Sequence, residues 1–309
     1  MTGAAWVLAA AESRSGRISL DAATVLLQWA VGGLFFCWVT TRHREAGLGY
    51  GWLLRGVYGV MAIMAAVVGI RYGGPVLRTV GAIAVAAAAI GVLVVSVVRR
   101  KAGVSGHLAD HDRRSARVAA MTGIDRHVDD DDPDGTDATG GREFAPELDL
   151  LAPAIGVIGL VAAGWASASG GGAQLLGVAR VLSGAAFLGA VTDAMLLGHW
   201  YLTQPGLPRR LLNEQVRWLG YVWPFEVALL LVPTGMVSVF SGRIDDGYGG
   251  MLGWFWIACA VTTIVLVVVT RAALKERAYS AVMAATGLLY LAILTAFGTD
   301  LVARAVLAT

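Results

Sequence analysis

The sequence predicts an all-α fold, a polytopic integral membrane bundle of about eight transmembrane helices. Composition is the first reason: 57% of the 309 residues are hydrophobic and 15% are charged, against roughly 45–50% and about 25% in soluble domains. Mean hydropathy, at +0.66, agrees. The arrangement of the apolar residues is the second reason, because they collect into runs of the roughly 20 residues that a helix needs to cross a bilayer. Lipid offers the backbone no hydrogen bonds, so each run is expected to satisfy its own as a helix.

In chain order, the apolar stretch 4–11 is too short to span and lacks a basic leading region. It is expected to be an interfacial or frayed terminus. Spans are then predicted at 22–41, 52–70 and 76–98. Arg99, Arg100 and Lys101 stop the third span and open the one extended polar segment, 99–147. Its first half is basic with scattered apolar points at Leu108, Val118 and Met121, and its second half is acidic. With so little apolar area to offset ordering entropy, 129–141 is expected to be disordered.

The fourth span, 148–168, carries Gly156, Gly159 and Gly164, small residues that let helices approach closely in lipid. Spans five and six, 174–201 and 215–240, are the longest and are joined through Gln204, Pro205, Gly206, Leu207 and Pro208. Trp200, Tyr201 and Trp218 are expected to form an aromatic belt at that end. The last spans are 251–270 and 279–300, and the whole, 1–309, is expected to form a single transmembrane domain. The string WLLRGVY from Trp52 opens the second span and RWLGY from Arg217 opens the sixth, which would suit a 4 + 4 repeat.

Lys and Arg resist translocation, so their distribution predicts orientation. One side holds the polar segment together with Arg42, Arg44, Arg55, Arg209, Arg210, Arg217, Arg271, Lys275 and Arg277. The other holds only Arg14, Arg17, Arg71, Arg78, Arg243 and Arg304, with Arg180 inside a span. The expectation is a plasma (inner) membrane protein with 99–147 in the cytoplasm and both termini outside. The basic residues form no face that would track phosphates, which argues against nucleic acid as a partner. Cys37 and Cys259 each lie in an apolar run and are read as packing residues.

An ionisable group inside a span needs a partner or a use. Asp193 lies seven residues before Trp200, roughly 10 Å inside the belt, and Glu226 lies eight after Trp218, at roughly 12 Å. Because the two spans form a hairpin, the carboxylates are expected at one level, facing one another or a shared cavity. His199, Tyr201, Gln215 and Arg217 are expected near the mouth of that hairpin, and Pro224 is expected to kink the sixth span. The plain alternative is a protonated carboxyl in each helix, bonded across the bundle. Arg180 near the outer end of the fifth span, and Asp300 with Arg304 as an i, i+4 pair at the outer end of the eighth, are read as residues that snorkel to the interface.

Other motifs are weaker. His199 is the only histidine in or beside a predicted span, so a bis-histidine haem in the bilayer is excluded. Asp130, Asp132, Asp134 and Gly135 match the opening of a calcium loop, but the twelfth position is Gly141 instead of Glu. The aspartates of 129–132 are similar to the clusters of prenyl-transferring enzymes, which need a rigid helical frame. No Ser-His-Asp set or zinc motif suggests an enzyme.

The carboxylates thus point to a proton- or cation-coupled carrier. The hairpin suggests instead a quinone-interacting subunit of a redox complex. Its eight-span layout with external termini is similar to that of the anchor subunits of molybdenum oxidoreductases, without a shared motif. The segment 99–147 would suit a membrane assembly or scaffold protein that binds a protein partner there. The sequence requires no cofactor; it leaves open a quinone and a single haem with an axial ligand other than a second histidine.

Overall fold

The computed structural model describes residues 21–102, 143–204, 207–232, 235–276 and 278–307. The expectations for 4–11, for disorder and a calcium-like loop in 129–141, for a partner on the body of 99–147, and for the turn at Pro205 and Gly206 lie outside the described residues.

Among the described residues the chain is helical, without a strand. The helices are α1 Ala22–Thr41, α2 Leu48–Tyr72, α3 Val76–Val98, α4 Leu151–Ala166, α5 Gly171–Thr203, α6 Arg209–Leu231, the short α7 Gly235–Phe240, α8 Met251–Ala273 and α9 Tyr279–Leu307. A 3₁₀ turn, Pro146–Leu150, leads into α4. Seven of these segments are long and apolar enough to cross a membrane: α1, α2, α3, α4 with its 3₁₀ turn, α5, α8 and α9. The chain is a multi-pass membrane protein.

α6 is the exception to the predicted eight. Its length matches the others, but Arg209, Arg210, Glu214, Arg217 and Glu226 interrupt its apolar character. Leu212, Gln215, Val216, Leu219, Glu226 and Leu230 are buried at helical spacing, so one stripe faces the bundle. The predicted span 215–240 is in fact two helices. α6 starts six residues earlier and runs unbroken through Pro224, and the interruption falls at Val232 instead. Val232 precedes Pro233 in the sequence and is extended at φ −100°, ψ 154°, as a residue before proline prefers.

Turns set the ends of the other helices. Gly73 and Gly74, at φ 83° and 117°, and then Pro75 separate α2 from α3, backbone that only glycine adopts without strain. The Asp21 side chain caps α1 by accepting from the Thr24 amide at 3.4 Å and from its hydroxyl at 2.5 Å. Ahead of α8, Asp246 accepts from the amides of Gly250 at 2.8 Å, Tyr248 at 3.0 Å and Leu252 at 2.9 Å. Those donors, Gly250 foremost, hold its carboxyl below the usual carboxylate range.

Packing follows one pattern twice. Helices α1 to α4 contact each neighbour in turn and α4 returns to α1; α5, α6, α8 and α9 do the same, with α9 returning to α5. The two rings join where α1 lies on α5 and α4 on α5. Lipid removes most of the hydrophobic drive between helices, so close approach of small residues carries this join. A Cβ on Gly189 would lie 2.7 Å from the Gly32 Cα, and one on Gly164 would lie 2.6 Å from the Val178 Cα. Within the first ring, a Cβ on Gly81 would lie 3.0 Å from the Gly159 Cα. The large apolar side chains left over, such as Ile70, Val98, Trp254, Phe225 and Leu294, point outward, as a lipid-facing surface requires.

The face where residues 102 and 143 emerge is the loop face below, and the opposite one the far face.

Candidate functional site

Near the far face, inside the second ring, four charged side chains converge. Glu226 on α6 and Asp300 on α9 are both fully buried. Arg304, one turn after Asp300, places its Nε 2.7 and 2.8 Å from the two Asp300 oxygens and donates from Nη2 to the Arg180 carbonyl at 3.0 Å. Arg180, on α5, donates from Nε to the Leu229 carbonyl at 2.9 Å and from Nη2 to that of Val232 at 2.8 Å. It thereby closes the exposed carbonyl end of α6, where a cation is favoured.

Glu226 lies next to Ser183, Asp300 and Arg304. Neither of its oxygens reaches any of them with hydrogen-bond geometry. Gln28 of α1 reaches into the same group from the other ring. Its Nε2 donates to the Val181 carbonyl at 2.6 Å while its Oε1 has no donor. The group closes around Gly184, where a Cβ would lie 2.7 Å from the Asp300 Oδ1 and 2.9 Å from the Gln28 Nε2. Burying polar atoms without protein partners costs free energy, so the group is a place where a water, a proton or a ligand would be held favourably.

A cavity of about 580 Å³ opens above this group. Arg180 and Arg304 line it together with Asp21, Thr24, Pro75 and Ser167. Its walls are largely apolar, from Val25, Ala163, Ala166, Ala173, Leu176, Val181 and Leu307. Asp21 is ion-paired with the buried Arg78.

The predicted pairing of Asp193 with Glu226 does not occur. Asp193 accepts from the Tyr58 hydroxyl of α2, and its neighbours are Tyr58, Tyr50 and Cys37. None of these is a neighbour of Glu226. The belt tryptophans explain the error. Trp200 lies three residues from the end of α5, whereas Trp218 lies nine into α6. They are therefore about 9 Å apart in depth from their helix ends, and the two carboxylates inherit that offset.

The other predicted hairpin residues are also dispersed. The Tyr201 hydroxyl donates to the Pro208 carbonyl at 2.6 Å, and Gln215 donates to the Phe36 carbonyl at 3.1 Å and the Thr40 hydroxyl at 2.7 Å. Both are buried, whereas His199 and Arg217 are exposed, His199 lying 3.2 Å from the Tyr290 hydroxyl. The expectation that Arg180, Asp300 and Arg304 snorkel outward is likewise corrected. Asp300 and Arg304 turn inward as a pair, and Arg180, half-buried at the cavity, folds onto the carbonyl end of α6.

Sequence reasoning also missed a buried ion pair at the loop face. Arg55 of α2 holds Asp149 in two parallel bonds of 2.7 and 2.8 Å. Thr41 donates to the same carboxylate at 2.8 Å, Ser96 lies 3.3 Å from Arg55, and the Phe144 ring covers the guanidinium at 4.6 Å. With the second span predicted from 52, Arg55 falls at its edge among the loop-side charges; the helix begins at Leu48 and carries it a further turn inside.

No protein family, curated protein or solved structure matches the chain.

Proposed function

We propose that this protein is a proton-coupled carrier whose protonatable group is Glu226. The observation that carries the reading is a fully buried carboxylate, neither of whose oxygens makes a protein hydrogen bond of good geometry although Ser183 and Asp300 lie beside it, set beneath a cavity. Two arginines and two carboxylates are neutral together when Glu226 is ionised, and a proton on Glu226 leaves one positive charge over. A buried group that can hold either state without breaking an existing bond suits reversible proton binding. The end of α6 beside it, broken at Val232 and stitched to α5 only by Arg180, is the kind of interrupted helix that lets a site rearrange. The intramembrane carboxylate pair is thus Glu226 with Asp300.

The basic residues of the loop-face turns favour the cytoplasmic side of a plasma membrane for that face, which puts the cavity outside. Infrared difference spectra of the purified protein against pH test the reading. A carboxyl band that titrates in the wild type should vanish in Glu226→Gln and persist in Asp193→Asn. A titrating band unchanged in Glu226→Gln would sink it.

A further inference from the structure

We infer that the cavity at the far face binds an organic anion with an apolar body, and that this anion enters together with the proton on Glu226. The inference rests on the proton-coupled reading and adds the substrate class. Two features of the cavity support it. Its lining is net cationic, because Arg180 and Arg304 line it with one carboxylate, Asp21, which is already paired with Arg78, whereas Glu226 and Asp300 are not among the lining residues. Each guanidinium bonds through Nε and Nη2, and neither Nη1 makes a hydrogen bond among the described residues. The walls are small and apolar over about 580 Å³, a size that takes a compact organic molecule.

Charge balance supplies the coupling. At the far-face end of the packed elements the charged groups are Glu226 on α6, Asp300 and Arg304 on α9, Arg180 on α5, and Asp21 paired with Arg78 at the start of α1 and α3. Asp193 and His199 on α5 and Arg209, Arg210, Glu214 and Arg217 on α6 lie nearer the loop face. α4 and α7 contain none, and on α8 the only charge, Arg271, lies at the loop-face end, with the Cys259 thiol between. With Glu226 ionised the group is neutral and has nothing to offer an anion in a low-dielectric site. With Glu226 protonated it is left with one positive charge, which one monoanion neutralises. Anion and proton therefore favour each other's binding, and by linkage the effect is reciprocal.

The probe is benzenesulfonate, which stays ionised across the working pH range, with benzenesulfonamide as its uncharged counterpart. Binding is measured by calorimetry on the full chain in nanodiscs of zwitterionic lipid, in buffers of different ionisation enthalpy so that proton uptake is read directly. The expected result is binding of the sulfonate and not the sulfonamide, one proton taken up per anion, and affinity that falls as pH rises, approaching about tenfold per pH unit. Arg180→Gln should weaken binding about tenfold or more. Leu176→Trp, which fills the cavity while leaving all four charged residues in place, should do the same if Arg180→Gln fails to fold.

Glu226→Gln should bind at the low-pH affinity throughout and take up no proton. Equal binding of the sulfonamide, or sulfonate binding indifferent to both cavity variants, overturns the inference while the infrared titration of Glu226 can still stand. Sulfonate binding with proton uptake intact in Glu226→Gln overturns the proton reading and leaves only the anion site. Repeating the titration in discs of anionic lipid separates sources of the anion: loss of affinity there assigns the cavity to a lipid headgroup, and unchanged affinity to a free solute.

Discussion

Buried charge occurs at both ends of the bundle, and the two ends handle it differently. At the loop face Arg55 and Asp149 meet in a bidentate pair, with Thr41, Ser96 and the Phe144 ring completing the shell. At the far face Arg304 pairs with Asp300, but Glu226 beside them makes no protein hydrogen bond of good geometry, and a cavity reaches Arg180 and Arg304. A closed and saturated ion pair has nothing left to give a ligand, so its role is to hold α1, α2 and the start of α4 together. An unsaturated group loses stability by standing open, and what it keeps in return is the capacity to change state. The location of charge in a membrane span therefore says less about function than whether its bonds are complete.

The comparison can be broken most sharply by removing one acid from each end. Asp149→Ala strands a guanidinium that is 3% exposed, and the unfolding free energy should fall by about 3–5 kcal/mol, read from thermal melting in detergent. Asp300→Ala should cost less, about 1–2 kcal/mol, because Arg304 retains the Arg180 carbonyl and has Glu226 beside it. Equal losses at the two ends would erase the distinction between them.

Gly189→Val tests the join between the rings. Its side chain meets the Gly32 backbone, which cannot move aside as a side chain could, so about 1–3 kcal/mol should be lost and α1 should separate from α5. Cross-linking between cysteines placed on those two helices would report the separation. Glu226→Gln should change melting by less than about 1 kcal/mol, since no bond is removed. A large loss would mean that Glu226 is a structural group.

The smallest effect concerns the loop before α8. The Asp246 carboxyl is held below its ordinary range by three amides, so the stability it contributes is complete above about pH 3.9 and is lost as pH falls through its depressed folded value. Wild-type melting should therefore decline on acidification in that range more steeply than that of Asp246→Asn. Parallel curves would show that the amides do not hold the carboxylate.

Most of the helices were legible in the sequence because crossing lipid demands length and apolarity, and both are local. The predicted spans 22–41 and 76–98 coincide with α1 and α3. The close contacts at Gly156, Gly159 and Gly164 were also foreseeable, since small residues in a span have few other uses. α6 was misplaced because its apolar face is only a stripe, and a run-length criterion starts such a helix too late. Arg180, Asp300 and Arg304 looked like interfacial residues because each lies near a helix end. The pairing of Asp300 with Arg304 at i, i+4 was legible in the chain; what chain position does not reveal is the carbonyls of Arg180, Leu229 and Val232 that take up the two guanidinium groups.

By itself, then, the sequence determined that this is a membrane-spanning helical bundle, roughly where its spans run, and that Glu226 is a residue requiring explanation. Only the tertiary structure decided that Glu226 belongs with Asp300 and Arg304 and not with Asp193, and that Arg55 and Asp149 are joined. Hydropathy is a property of a segment against its solvent, whereas a buried charge is settled by its nearest neighbours, and those come from helices far apart in the chain.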